Sequence, residues 1–219
     1  MAKNLQNLLI YHFHDKTLYA YAKKYLHGRL IDIGCGTKPY KNMLASYVKE
    51  YVGLDREQPF NIQAQPDLIG TAYKIPVEDC SFDSALSTAV LEHLAEPEMA
   101  LHECNRILKK DGVAIYTVPL IWHVHGEPWD YYRFTNYGLQ YIFEKTGFEV
   151  VELKALSGFW VTFGQMFVYY IYRFNRRPIF YMPIIPIFGL LVQGIAYLLN
   201  MIDKAEQWTW MYLVVIKKK

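Results

Sequence analysis

Asp32, Gly34, Cys35 and Gly36 stand together where an apolar run, Arg29 to Ile33, breaks off, and a second run, Glu50 to Leu54, ends in Asp55. Gly34 and Gly36 permit positive φ, so a ligand can lie against bare backbone. An acid about twenty residues further on is where a doubly wound sheet sets a carboxylate against a ribose, so two strand-ending acids face one crevice. Gly34-x-Gly36 followed by Thr37 lacks the third glycine of the dinucleotide fingerprint. The spacing therefore points to a nucleoside without phosphates rather than to a pyrophosphate seated on a helix.

A second group able to do chemistry follows the strand Val113 to Val118: Trp122, His123, His125, Glu127, Asp130, Tyr131, Tyr132 and Arg133. Two imidazoles beside Glu127 suit a general base or a divalent metal; the base is favoured and no metal is expected, because histidine is poised to take a proton near neutral pH. Asp130 and Arg133 either pair to hold the loop or bind the substrate. Cys35 is a packing residue of the turn or a nucleophile. The elements that must position these groups alternate strand and helix, which implies a mostly parallel sheet. Helices are expected over Leu5–Leu26, Met43–Tyr47, Glu98–Leu108 and Phe134–Thr146, the last stopped by Gly147 and begun by Thr135 as its cap, with a strand from Glu149. The loop after the Val113 strand should overhang the crevice, as carboxyl ends of strands do in such sheets.

Ser81-Phe82-Asp83 through Val90-Leu91-Glu92-His93-Leu94 resembles the fourth strand and following turn of S-adenosylmethionine-dependent methyltransferases of the Rossmann-like class. Ile75-Pro76 upstream and Glu103, Asn105 to Gly112 downstream resemble further motifs of that family, in family order over roughly residues 28–155. His125-Gly126-x-Pro128-x-Asp130-Tyr131-Tyr132-Arg133-Phe134-Thr135 is similar to the loop of a subgroup of its type 11-like members. The resemblance implies a seven-stranded sheet with helices on both faces. It implies that Asp32, Gly34, Cys35 and Gly36 cradle the methionine part of S-adenosylmethionine and that Asp55 accepts both ribose hydroxyls, two acceptor oxygens meeting two donors. Thr71-Ala72 falls where many relatives carry Asp-Ala beside the adenine, and the threonine is a departure. Ser87, Thr88 and Ala89 would flank the cofactor. His93 joins His123 and His125 as a candidate base, or orients the loop; Trp122, Glu127, Asp130, Tyr131, Tyr132 and Arg133 are the candidates for holding the methyl acceptor.

The 219 residues suit a single methyltransferase domain with an insertion: a helical lid over 1–28, a hydrophobic helical insertion over 158–203 before the last strand, and that strand over 208–216. The N-terminal helix is not read as a signal peptide, because Gln6, Asn7 and the His12–Lys16 cluster interrupt it. With 23 basic and 21 acidic side chains there is no field to steer nucleic acid, and three unpatterned cysteines suit a reducing compartment without zinc. Gly158 to Tyr172 and Pro178 to Met201 are uncharged, with Arg173, Arg176 and Arg177 between them. A single span would strand the last strand on the wrong side, so a re-entrant or interfacial hairpin is expected, with Trp160, Tyr169, Tyr170, Tyr172, Phe180 and Tyr181 at the interface and Pro178, Pro183 and Pro186 bending the entry. An internal helical cap or a dimer surface is the alternative for this segment.

These readings combine into a methyltransferase at the cytoplasmic face of the cell membrane, methylating an oxygen of an amphiphilic acceptor such as a lipid-linked sugar, a quinone precursor or a lipid head group. A soluble dimeric enzyme on a small molecule, and a catalytically silent cofactor- or lipid-binding scaffold, are the rivals.

Overall fold

The computed structural model describes residues 5–57, 65–174 and 184–219. They divide into two compact units. The larger comprises Leu18–Pro119, Val124–Lys154 and Tyr212–Lys219; the smaller comprises the described residues up to Thr17, Leu120–His123 and Ala155–Met211.

The larger unit carries the sheet. Its strands are β1 (Arg29–Ile33), β2 (Glu50–Asp55), β3 (Leu68–Ile69), β4 (Phe82–Thr88), β5 (Leu108–Pro119), β6 (Phe148–Ala155) and β7 (Met211–Lys218), in the spatial order β3-β2-β1-β4-β5-β7-β6. β1 pairs parallel with β2 and β4, and β4 pairs parallel with β5. Strand order reverses between β1 and β4, and ligands of open α/β sheets bind in the crevice such a reversal leaves at the strands' carboxyl ends. The central strands are apolar because both faces are covered: Leu30, Ile31, Ala85, Leu86, Ala114 and Ile115 are all essentially inaccessible. Asp83, at the other end of β4, accepts the Arg29 N–H at 2.8 Å and pairs with Lys109 at 2.7 Å, which fixes where β1 begins.

Around the sheet lie α1 (Leu8–Tyr25), α2 (Lys41–Leu44), α3 (Pro97–Ile107) and α4 (Asn136–Lys145). α3 starts on Pro97, whose missing N–H is no loss in a first turn, and buries Ala100, Leu101, Cys104 and Ile107 at helical spacing. α4 is capped as expected, the Thr135 hydroxyl accepting the Gly138 N–H at 3.1 Å. α1 begins in the smaller unit and ends in the larger, where Leu18 and Ala22 are buried and Lys24 and Tyr25 both bind Glu152 of β6.

The smaller unit holds the start of α1 with α5 (Phe159–Tyr172) and α6 (Ile184–Ile202). α5 buries Val161, Val168 and Ile171, whereas α6 turns only small and amide residues, Gly189, Gln193, Ala196 and Asn200, inward. Thr162, Gln165, Gln193 and Asn200 are buried, whereas Phe167, Leu191, Leu198 and Ile202 are exposed, Ile202 at 86%. Gln193 accepts the Leu9 N–H and donates to the Leu5 carbonyl, both at 2.9 Å, and Gln165 donates to the Gln6 carbonyl at 2.8 Å. Small residues let the helices approach: a Cβ on Gly164 would sit 2.7 Å from that of Ala196, and one on Gly189 would sit 2.9 Å from the Tyr172 ring. The expected interfacial positions Arg176, Arg177, Pro178, Phe180, Tyr181 and Pro183 lie outside the described residues. The last strand starts three residues later than expected, at Met211, because Glu206–Trp208 forms a 3-10 turn and the continuous buried run begins beyond it. β5 begins five residues earlier than expected, running through Lys109–Gly112 with Asp111 at φ +63°.

Candidate active site

β1 delivers its acid to the crevice and then turns away through two left-handed glycines. Gly34 has φ +78°, and a Cβ there would lie 2.5 Å from Val90 Cγ2; Gly36 has φ +51°, and a Cβ there would meet nothing within 4 Å. The first glycine is demanded by the fold, the second opens onto free space. The N–H groups of Gly34 and Cys35 both donate to the Leu54 carbonyl, at 2.9 and 3.0 Å, which ties the turn to β2. Asp55 completes the tie: its Oδ2 accepts the Gly36 N–H and its Oδ1 the Arg56 N–H, each at 2.8 Å. A carboxylate oxygen has two lone-pair sites, so both remain able to accept from a ligand.

Asp32 is 1% exposed and sits between Gly53 of β2 and Leu86 of β4. The Tyr51 hydroxyl donates to its Oδ2, while its Oδ1 is buried without a hydrogen-bond partner among the described residues. Burial pushes its carboxyl up to about 7, with the nearby Asp55 charge adding and the Tyr51 hydrogen bond opposing. Lys38, at φ +54°, reaches Asp67 at 2.6 Å, and Asp67 accepts the Gly53 N–H at 2.7 Å. Tyr51, Lys38 and Asp67 support the site without having been legible as part of it. Cys35 is buried and burial pushes its thiol up to about 12, so it packs against Gly53 rather than acting as a nucleophile.

On the β4 side, the Ser87 hydroxyl donates to the Ile33 carbonyl at 3.1 Å, and Thr88 ends the strand. Ala89 is held at φ +52° with its N–H on the Thr117 carbonyl at 2.9 Å, a conformation that alanine adopts only under constraint. On the β2 side, the Gly70 N–H donates to the Asp55 carbonyl at 3.0 Å, which sets Thr71 and Ala72 beside that acid. Thr71 is exposed and pairs with Lys74 in a small antiparallel bridge.

The loop after β5 is organised around Asp130. Its two oxygens take Arg133 Nη1 and Nη2 at 2.7 Å each, and its Oδ2 also accepts the His125 N–H at 2.8 Å. The Arg133 guanidinium holds the Asp130 carboxyl far below the usual carboxylate range. Asp130 and Arg133 thus hold the loop. Glu92 and His93 lie on the turn Leu91–His93 that follows β4, and the N–H groups of Tyr131 and Tyr132 both donate to the Glu92 carbonyl, at 2.9 and 3.2 Å. His93 Nδ1 lies 2.7 Å from the Trp129 carbonyl, and its ring meets that of His125 edge-on with centroids 4.8 Å apart. Gly126 turns with φ +67° and a Cβ on it would lie 3.0 Å from His93 Cε1. The Glu92 carboxyl is fully buried, neither oxygen having a hydrogen-bond partner among the described residues, and burial pushes it up to about 8. Arg56, the residue after Asp55, lies 5.0 Å over the Trp129 ring. That cation–π contact ties the loop to the residue that follows β2.

The sequence grouped His123 with His125 beside Glu127. In the structure the carboxylate beside His125 is Glu92, the second imidazole is His93, and Glu127 is exposed. His123 and Trp122 belong to the smaller unit, where both rings pack on Tyr169, at 4.8 and 5.1 Å between centroids. Within the smaller unit the N–H groups of Leu120 and Ile121 donate to the Trp210 carbonyl; within the larger, the His125 N–H is taken by Asp130. Tyr131, Tyr132 and Trp129 are well exposed on the loop.

Residues 31–116 match the family model described as a methyltransferase domain. A probable S-adenosylmethionine-dependent methyltransferase of Mycolicibacterium smegmatis is 25% identical over 96 residues, 41% of this chain and 37% of that protein. A chloroplastic 2-methyl-6-phytyl-1,4-hydroquinone methyltransferase of Oryza sativa is 27% identical over 158 residues, 64% of this chain and 47% of that protein. The chain therefore spans less than half the length of these curated relatives. Among solved structures, an S-adenosylmethionine-dependent methyltransferase from Mesorhizobium loti superposes with a TM-score of 0.59 at 14% identity, covering 98% of this chain and 100% of that one, a likeness of fold. Residues 31–116 thus match a methyltransferase-domain model, and the chain shares the Rossmann-like fold of a solved S-adenosylmethionine-dependent methyltransferase.

Proposed function

We propose that this protein is an S-adenosylmethionine-dependent methyltransferase that works at the cytoplasmic face of a membrane on an oxygen of an amphiphilic acceptor. The observation that carries the reading is Asp32: a buried acid with one partnerless oxygen, beside a left-handed glycine turn that opens onto free space, at the reversal point of the sheet. A cationic amino group answers that oxygen, and a ribose diol answers the two lone-pair sites left on Asp55. Backbone of the Gly34–Gly36 turn would line the methionine part, Thr71 and Ala72 the base, and Ser87 to Ala89 the floor. When bound, S-adenosylmethionine supplies a sulfonium methyl open to direct displacement.

The chain's own residues then have three tasks. They hold the acceptor in line, keep water out and take the acceptor's proton. Positioning supplies much of the rate in such a displacement. The exposed aromatic side chains Trp129, Tyr131 and Tyr132 suit an acceptor with an apolar body, and Arg133 with Asp130 keeps their loop in one shape. His93 and His125 are the proton acceptors, being the imidazoles that share a cluster on the larger unit.

The membrane reading rests on α6. α6 is 19 residues long and apolar enough to cross a bilayer, yet it is mostly exposed, while its amides and small residues face inward. In water this arrangement leaves a large apolar surface uncovered; against lipid it is the expected one. A relative named for a phytyl-bearing hydroquinone also supports a lipid-like acceptor. The test is incubation with methyl-labelled S-adenosylmethionine and a membrane lipid extract, with and without vesicles. Label in the organic phase, together with flotation of the protein on anionic vesicles, is the expected result. Label passing only to water-soluble acceptors, with a stable dimer and no flotation, would replace it with the soluble dimeric enzyme.

A further inference from the structure

The loop and the turn after β4 bring together more than a base requires. One donor atom each from Glu92, His93 and His125 lies within 4.8 Å of the others. Around an ion with bonds of about 2.0–2.1 Å, neighbouring donors stand roughly 3.3 Å apart, so modest side-chain rotation closes the set. His93 Nε2 already stands 3.9 Å from Glu92 Oε1.

Three features distinguish this trio from histidines that merely pack. The first is Glu92. It is inaccessible to solvent and neither carboxylate oxygen has a hydrogen-bond partner among the described residues. A buried ionised carboxylate without a partner is strongly disfavoured, so the group either holds a proton or exchanges it for a cation. The Arg133 guanidinium makes bonds of 2.7 Å to both Asp130 oxygens and to the Tyr132 carbonyl. The second is the orientation of His93. Its Nδ1 lies 2.7 Å from the Trp129 carbonyl, which can only accept, so that nitrogen carries the proton and Nε2 keeps its lone pair. The third is the shell behind His125. Its Nδ1 lies 3.5 Å from Asp130 Oδ2 and 3.4 Å from Arg133 Nη2. A carbonyl behind His93 is how proteins aim a histidine at a metal, and the Arg133–Asp130 pair holds the His125 ring in place beside it. The backbone is equally committed: two N–H groups of the loop clamp the Glu92 carbonyl, and Gly126 permits the loop to pass against His93.

We propose that Glu92, His93 and His125 form a binding site for a divalent cation of the zinc class. Two imidazoles and one carboxylate favour zinc or a neighbouring transition metal over magnesium or calcium, which prefer oxygen throughout. Three protein ligands leave a position for a water or for an oxygen of a further ligand. The site stands independently of the methyltransferase reading. An ion there would turn the two imidazoles from bases into ligands and hand the deprotonation to an oxygen held by the ion.

The test uses the full chain freed of metal with a chelator and titrated calorimetrically with Zn²⁺, then separately with Co²⁺ while its visible spectrum is followed. One ion per chain is expected, with the cobalt bands of nitrogen and oxygen ligation. Affinity should fall at least about tenfold in Glu92→Gln, which preserves shape, and in His125→Ala, on the loop, since even outer partners of a metal site are worth 10–100-fold. His102→Ala, an exposed histidine elsewhere, should bind as wild type. Circular dichroism of each variant separates loss of site from loss of fold. Absence of stoichiometric binding, or binding that survives both substitutions and disappears in Cys80→Ser, would overturn the proposal. That outcome leaves His93 and His125 as bases and does not touch cofactor binding, which is measured without metal.

Discussion

Replacing Asp32 by Asn should make the protein more stable above neutral pH while depriving it of cofactor. The unfolded chain releases this proton near 3.8 and the folded chain only near 7. Between those values the native state holds the extra proton, so stability falls as pH rises from about 4 to about 7 and stays low above. Three pH units at ~1.36 kcal/mol each give a loss on the order of 4 kcal/mol in wild type. Asparagine removes that penalty and can keep Tyr51 as a partner through its amide oxygen. Its amide N–H groups would take the place of the partnerless oxygen, at a cost of ~1–3 kcal/mol. The net gain at pH 8.5 is therefore ~1–3 kcal/mol, a rise in Tm of roughly 2–10 °C for a chain of this size. At pH 5 wild-type Asp32 is neutral and the advantage should vanish. Thermal melts of both proteins at the two pH values read this difference directly, and other titrating groups, including Glu92, cancel in the comparison. S-adenosylhomocysteine should raise the wild-type Tm and leave that of the variant in place. A wild-type-minus-variant difference that does not change between pH 5 and 8.5 would refute the reasoning.

The two glycines of the turn should separate folding from binding. Gly36→Ala meets no neighbour and should lose only the ~1–2 kcal/mol of a left-handed alanine, yet weaken S-adenosylhomocysteine severely. Gly34→Ala adds a collision with Val90 and should lose ~2–5 kcal/mol by urea unfolding. Arg133→Lys keeps the charge but not the paired bonds to Asp130, so turnover should fall at least about tenfold with cofactor affinity unchanged, read as kcat against Kd. Leu191→Glu with Leu198→Glu, two exposed positions of α6, should abolish vesicle flotation while S-adenosylhomocysteine binding stays within about twofold.

What the sequence made legible was local. Asp32, Gly34 and Gly36 lie within five residues, and Asp55 ends the very next strand, so their association follows from one strand-turn unit repeated. β1 and β5 announce themselves as apolar runs because both faces of a parallel sheet are buried, whereas β4, with Asp83, Ser84, Ser87 and Thr88, was legible only through the family resemblance. β3, two residues long, carries no periodicity to detect. The histidine pairing was misjudged because His123 and His125 are adjacent in sequence, whereas His93 reaches His125 only through the path of the loop, set by Asp130, Arg133 and the Glu92 carbonyl. Tyr51 was hidden for a similar reason: on an apolar strand a tyrosine reads as core until its hydroxyl is seen on Asp32. The apolar runs 158–172 and 184–201 were plain in composition. That Gln165, Gln193 and Asn200 turn inward while Phe167, Leu191 and Leu198 stay outside is a property of packing alone.

Calorimetric titration of the detergent-purified protein with S-adenosylhomocysteine, in wild type and in Asp55→Ala, tests the central claim most directly. Micromolar binding to wild type is expected. Two hydrogen bonds to a charged acceptor, at ~1.5 kcal/mol or more each, make it about 100-fold weaker in the variant. Folded wild-type protein that takes up no S-adenosylhomocysteine would contradict the account.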